Sequence, residues 1–390
     1  MDPRTNPYAP GAGTPPPALA GRDDYIERAA IALDRIRIGR AARGLMLYGL
    51  RGVGKTVLLN RIRLDAEGRG IASVYIESPE DRSLPALLIP ALRSTLLRLN
   101  RGEAAKAGVQ KALRALAGFA GALKVTYHDI EIGLEYEPEP GLADSGDLDN
   151  DLTDLLSSVG AAAHEHDTAV VLYIDELQYV EQEQLASLIV ALHMVSQKQL
   201  PITMVAAGLP QLVSQAGRAK SYAERLFEFA PVDRLDDPSA RAAICVPAEQ
   251  ENVMYTEVAI RAILSQTQGY PYFLQEWGKH CWNVADESPI DDTNVEQATV
   301  QALAELDAGF FRVRFDRLTP SEKNYMRAMA ELGPGPHRSG EVAAQLGRKV
   351  TSVAPIRSAL ISKGMIYSPA HGDTAFTVPL FDGFMRRIIP

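Results

Sequence analysis

The chain has 390 residues, 46% of them hydrophobic and 23% charged, which is too long for one ordinary core and suggests two or three globular domains. A net charge of −9 excludes a uniformly basic nucleic-acid binder, and the two cysteines, Cys245 and Cys281, lie far apart without metal-ligand spacing and point to a reducing compartment. No apolar run approaches the roughly 18 residues of a membrane span and the first residues do not read as a secretion signal, so the cytoplasm is the expected location, with no membrane partner.

Residues 1–20 carry Pro3, Pro7, Pro10, Pro15, Pro16 and Pro17, which excludes helix and central strand and predicts an extended arm. Two readings stand for it: a disordered tail, or a segment whose Asn6, Pro7 and Tyr8 pack against a nucleotide base. A helix with an Asp cap follows from Tyr25 to Leu33. Leu45 to Tyr48 then form an apolar run of strand length that enters Gly49-Leu50-Arg51-Gly52-Val53-Gly54-Lys55-Thr56, a match to the phosphate-binding G-x-x-x-x-G-K-[ST] loop. Glycines let backbone amides close around phosphate oxygens, and the helix starting near Lys55 turns its positive end to them. Lys55 is expected on the β- and γ-phosphates and the Thr56 hydroxyl on Mg²⁺.

A second strand, Ile71 to Ile76, leads into a helix, SLPALLIPALRSTLLRL, in which Pro85 and Pro90 predict a kink. Strand, helix, strand, helix predicts an α/β fold with a doubly wound parallel sheet. Residues 101–150 interrupt the rhythm with an Ala-rich helix, 103–123, an alternating strand-like run, 130–136, and an acidic loop, together read as a helix and hairpin insertion decorating a connection. After a helix over Leu148–His164, the apolar run Ala169 to Ile174 ends in Asp175 and Glu176, where parallel sheets bind ligands. Asp175 is expected to hold Mg²⁺ through water and Glu176 to orient or deprotonate the attacking water, making Glu176 and Lys55 the candidate catalytic groups.

Gly21-Arg22-Asp23, the loop 49–56, Asp175-Glu176-Leu177-Gln178, Ala207-Gly208-Leu209-Pro210 and Gly269-Tyr270-Pro271 together resemble the AAA+ ATPases. Within them the chain resembles the archaeal-type and origin-recognition-like group, which is related to the STAND signalling NTPases, over roughly residues 5–290. The resemblance implies a P-loop NTPase core over 21–236, an α-helical lid over 237–315, and ATP with Mg²⁺ bound between them as a switch or motor. It adds Val57, Arg22, Tyr8 and Pro271 to the loop residues 49–56 as nucleotide contacts. Arg225 matches by position the arginine that relatives present to a neighbouring subunit's γ-phosphate, with Arg218 as substitute, which would make the chain a homo-oligomer; a helix-end ion pair is the competing reading. Where relatives place a polar γ-phosphate sensor this chain has Ala207 and Gly208, and the helix opening at Pro271 lacks their second sensor arginine. The favoured expectation is an ATPase that hydrolyses ATP to ADP and couples its nucleotide state to self-assembly and DNA binding through the last part of the chain; the alternative, fed by the missing sensors, is a slow-turnover signalling NTPase that docks a protein partner.

Residues 316–390 carry ten Lys and Arg against six Asp and Glu, a basic module after an acidic body. Helices over 320–332, 339–346 and 351–363, followed by strands 365–367 and 374–378 around Pro369–Asp373, predict a helix-turn-helix with a hairpin, which resembles a winged helix. One reading puts Arg348, Lys349, Arg357 and Lys363 on the phosphates of double-stranded DNA, with Thr351 and Ser352 near bases. The other makes the module a dock for a protein partner.

Overall fold

The computed structural model describes residues 1–389 except 12, 80, 101–106, 125 and 128–135. The alternating run expected over 130–136 falls almost entirely outside the described residues. Two units form, one from Asp23–Tyr48 and Lys55–Pro231, the other from Met1–Arg22, Gly49–Gly54 and Val232–Pro390.

The first unit is a parallel sheet flanked by helices. In chain order it holds α1 (Asp23–Arg37), β1 (Gly44–Tyr48), α2 (Lys55–Gly68), β2 (Ala72–Glu77), α3 (Leu84–Leu99), α4 (Ala107–Leu123) and α5 (Leu148–Glu165), then β3 (Val170–Asp175), α6 (Gln182–Gln197), β4 (Ile202–Gly208), α7 (Gln211–Ala219), α8 (Ala223–Leu226) and β5 (Phe227–Pro231). The strands lie in the order β2-β3-β4-β1-β5, all parallel, with Leu45 opposite Val205 and Tyr173 opposite both Tyr75 and Val205. Strands β3 and β4 are buried along their whole length, as their unbroken apolar runs require of a sheet covered on both faces. Pro85 sits in the first turn of α3, where Ser83 caps the helix and a missing N–H breaks no bond; Pro90 alone is interior. Helix α4, expected as decoration, is a core element: Val109, Leu113, Leu116 and Phe119 are fully buried among α3 and α5.

The second unit is mostly helical: α9 (Asp237–Gln250), α10 (Glu257–Thr267), α11 (Pro271–Val284), α12 (Asp292–Leu306), α13 (Arg312–Asp316) and α14 (Pro320–Leu332). Then come β6 (His337–Arg338), α15 (Ser339–Gln345), α16 (Val350–Ser362), β7 (Ile366–Tyr367), β8 (Asp373–Phe376) and α17 (Phe381–Ile388). The three short strands form an antiparallel sheet in the order β6-β8-β7, so the hairpin expected around Pro369–Asp373 is the β7–β8 pair. One core joins α9–α12 to α14–α17: Phe311 stacks on Phe384, with ring centroids 5.3 Å apart, and Trp277, Phe273 and Phe381 are buried with it. The N-terminal arm belongs to this unit. Tyr8 is buried there with its hydroxyl donating to the Ile244 carbonyl, and Asn6 Nδ2 donates to the Lys279 carbonyl at 3.0 Å. Among the described residues no helix is long and apolar enough to cross a membrane.

Candidate nucleotide-binding site

The carboxyl ends of β1 and β3 carry the two motifs, as expected of an open parallel sheet. Within the α/β unit, Lys55 and Thr56 open α2, and Lys55 is buried. Thr56 Oγ1 donates to Asp175 Oδ2 at 2.7 Å, and the Glu176 amide donates to Asp175 Oδ1 at 2.8 Å. Burial pushes the Asp175 carboxyl above its usual range; the Thr56 bond opposes that and the Glu176 charge adds to it. A hydroxyl and a buried carboxylate held this close, with so costly a charge, fit a Mg²⁺ ion, which takes one or two protein oxygens and completes its shell with phosphate and water.

Glu176 stands in the left-handed region, φ 52°, an uncommon place for a residue with a side chain. Its side chain is held from the far side: Gln178 Nε2 donates to Glu176 Oε2, while Gln178 Oε1 accepts the Leu209 amide at 2.9 Å. Gln178 is buried in the short turn after β3 and so ties the candidate base to the end of β4. A Cβ on Gly208 would stand 2.7 Å from Gln178 Oε1, so the glycine there makes room for the amide. At the end of β4, where Ala207 and Gly208 carry no polar side chain, the Gln178 amide from the turn after β3 is the polar group that reaches the Leu209 backbone.

The loop residues Gly49–Gly54 are described within the helical unit. Gly52 and Gly54 have φ of 81° and 87°, and a Cβ on Gly49 would meet the Val232 carbonyl oxygen at 2.0 Å; side chains are barred at all three. Arg22 is buried, and its guanidinium donates to the Val53 carbonyl at 3.2 Å and to that of Asp233, holding the loop's backbone. The Gly52 carbonyl accepts the Tyr272 amide at 3.1 Å, in the first turn of α11, and the Arg51 amide donates to the Thr377 carbonyl at 3.0 Å, just past β8. Thr377 is fully buried, and its Oγ1 bonds the carbonyls of Gly364 (2.6 Å) and Met365 (3.0 Å) at the end of α16. One backbone path therefore runs from the phosphate-binding loop to α11 and to the C-terminal module.

Residues 18–205 match the model of the AAA ATPase domain. The fold is that of the AAA+ P-loop ATPases. Residues 308–385 match a domain of unknown function, DUF8462. The chain is similar to the Walker-type ATPase PABY2304 of Pyrococcus abyssi, with a TM-score of 0.61 at 15% identity over 94% of this chain and 96% of that one. Cdc6p of Pyrobaculum aerophilum matches at TM-score 0.49 and 12% identity over 100% and 98% of the two chains. The Orc1 protein of Aeropyrum pernix, solved in complex with DNA, matches at 0.46 and 15% over 95% and 94%. At such identities the likeness concerns the fold alone. Among curated proteins no sequence matches it.

The other expected residues fall as follows. Arg225 is exposed in α8, immediately before β5. Pro271 is half-buried at the first turn of α11. Tyr8 is 4% exposed with its ring among the helices α9 and α11 and its hydroxyl engaged, a position suited to anchoring the arm. Two of the four basic residues read as phosphate contacts are engaged within the module. Arg357 gives its donors to Thr374 Oγ1, Ser368 Oγ and the Asp373 carbonyl, each at 2.9 Å, and Lys363 pairs with buried Glu322 at 2.8 Å. Both hold the module together. Arg348, Lys349 and Thr351 are exposed, as is Ser352, whose hydroxyl donates to the Lys349 carbonyl.

Proposed function

We propose that this chain is a Mg²⁺-dependent ATPase of slow turnover that acts as a switch, passing the nucleotide state of Gly49–Thr56 to the C-terminal module 316–390. The observation that carries the proposal is the pair of backbone bonds from Arg51 to Thr377 and from Tyr272 to Gly52, because any shift of the loop around a γ-phosphate moves both partners. The amides of the loop and Lys55 hold the phosphate chain, and Thr56 and Asp175 hold the cation. Bound Mg²⁺ supplies neutralisation of charge on the β- and γ-phosphate oxygens. Glu176, oriented by Gln178, accepts a proton from the attacking water. Arg225, exposed in α8, serves as the finger toward a neighbouring copy, and Pro271 lies against the adenine.

The order of helices, α14, α15 and α16, followed by the β7–β8 hairpin, supports reading 316–390 as a winged helix. With Arg357 and Lys363 engaged inside the module, two exposed cations remain of the four, a small footprint for duplex DNA. A protein partner is the better supported recipient of the switch. Measuring ATP turnover with and without duplex DNA, from low to physiological salt, tests this: the protein-partner reading expects no stimulation by DNA, and stimulation that fades steeply with salt overturns it in favour of DNA.

A further inference from the structure

Away from the nucleotide motifs, α11 places Glu276 and His280 one turn apart on one face, and α12 brings Glu305 against them. The ligating atoms of the three residues lie within 4.8 Å of one another. Glu276 and His280 are 4% and 7% exposed, and Oε2 of Glu276 and Nε2 of His280 have no hydrogen-bond partner among the described residues. Leaving two such buried atoms without a hydrogen bond is costly, and native structures rarely do so without a reason. Tyr272 donates to the other oxygen, Oε1 of Glu276, at 2.8 Å, which fixes the carboxylate with Oε2 facing His280. His280 Nε2 stands 3.9 Å from that Oε2 and 3.0 Å from Glu305 Oε2, the latter without hydrogen-bond alignment.

We infer that Glu276, His280 and Glu305 form a binding site for a divalent transition-metal ion, Zn²⁺ foremost. An imidazole among carboxylates selects such an ion over Mg²⁺ or Ca²⁺, which take oxygen ligands. Bonds of about 2.0–2.1 Å in a tetrahedral site set ligand atoms about 3.3 Å apart; the His280 separations of 3.0 and 3.9 Å bracket that value, and with all three atoms within 4.8 Å of one another, rotation of the half-exposed Glu305 side chain closes the set. Glu305 is half exposed, leaving the fourth position open to water. Tyr272 acts as the outer partner that orients a ligating carboxylate, as is usual around metals. Lys279 is the resident competitor: its Nζ is 2.6 Å from Glu305 Oε1 and 4.0 Å from Glu276 Oε2, and it keeps only the Oε1 contact when the ion binds.

The test uses the full chain freed of metal with a chelator, without nucleotide, titrated with Zn²⁺ alone by calorimetry and followed by thermal melting. One equivalent binds and raises Tm; Glu305→Gln and His280→Gln each weaken binding by at least about a hundredfold, more than the loss of an outer partner gives. Asp175→Asn, which removes the other candidate cation ligand, leaves the Zn²⁺ response in place, and Lys279→Met strengthens it by removing a competing charge. Glu305 is exposed enough for its variant to fold even where His280→Gln does not. Absence of one-equivalent binding, or binding that survives Glu305→Gln, or weakening by Lys279→Met, overturns the assignment in favour of a simple ion-pair cluster.

Discussion

Gln178 is the residue on which the chemistry of the site turns most unexpectedly. It joins the Glu176 carboxylate to the Leu209 amide, and Gly208 keeps the space it needs. Gln178→Ala should therefore lower kcat by roughly tenfold while leaving KM for ATP near its original value, since the change disturbs the orientation of the base rather than binding. Glu176→Gln should retain ATP binding and lose about 10²- to 10⁴-fold in turnover, read by single-turnover hydrolysis. Asp175 makes a prediction of opposite sign for stability and function. Its folded pKa is raised, chiefly by burial, so the carboxyl favours the folded state when protonated, and that contribution is lost as pH rises through the folded value. Without nucleotide, Asp175→Asn should melt above the wild type at neutral pH, with the advantage vanishing below the ordinary Asp range, and should abolish Mg²⁺-dependent turnover. A neutral-pH melt unchanged or lowered by the substitution would show that burial of the charge is not a burden.

At the level of elements, the sheet and both nucleotide motifs were legible because each is a local pattern: an apolar run, a Gly-rich turn, a helix, or a strand ending in two carboxylates. What was not legible depends on contacts distant in sequence. The burial of Tyr8 under α9 and α11 could not be read from a proline-rich arm, nor the core role of α4 from an Ala-rich stretch beside a polar loop. Charge counting likewise places Arg357 and Lys363 on a surface, whereas Arg357 in α16 grips the β7–β8 hairpin and Lys363, just past its end, grips α14. Glu322 is buried, which works against its charge, but the Lys363 bond and the Thr319 cap outweigh that and hold its pKa below the usual value. The stability it contributes is present at neutral pH and lost as pH falls through that lowered pKa. Lys363→Met should cost about 1.5–3 kcal/mol at neutral pH, measured by denaturant unfolding, and much less in acid. A change in DNA affinity with no loss of stability would instead return Lys363 to a surface role.

For the whole molecule, the switch reading joins an acidic body to a basic C-terminal module, and its two possible reaches, toward another copy and toward a partner, separate experimentally. If Arg225 serves a neighbouring copy, ATP turnover per chain rises with protein concentration, and Arg225→Ala removes that dependence with a loss of about 10³-fold or more at high concentration. Turnover proportional to enzyme at every concentration would leave Arg225 as an exposed helix-end cation. The switch depends on the path from Arg51 to Thr377 and on to the end of α16. Hydrogen exchange of Glu176→Gln, with and without ATP and Mg²⁺, measures it most directly. ATP is expected to alter exchange over 360–378 together with 49–60. Changes confined to 49–60 and 170–180, with 360–378 untouched, would contradict it.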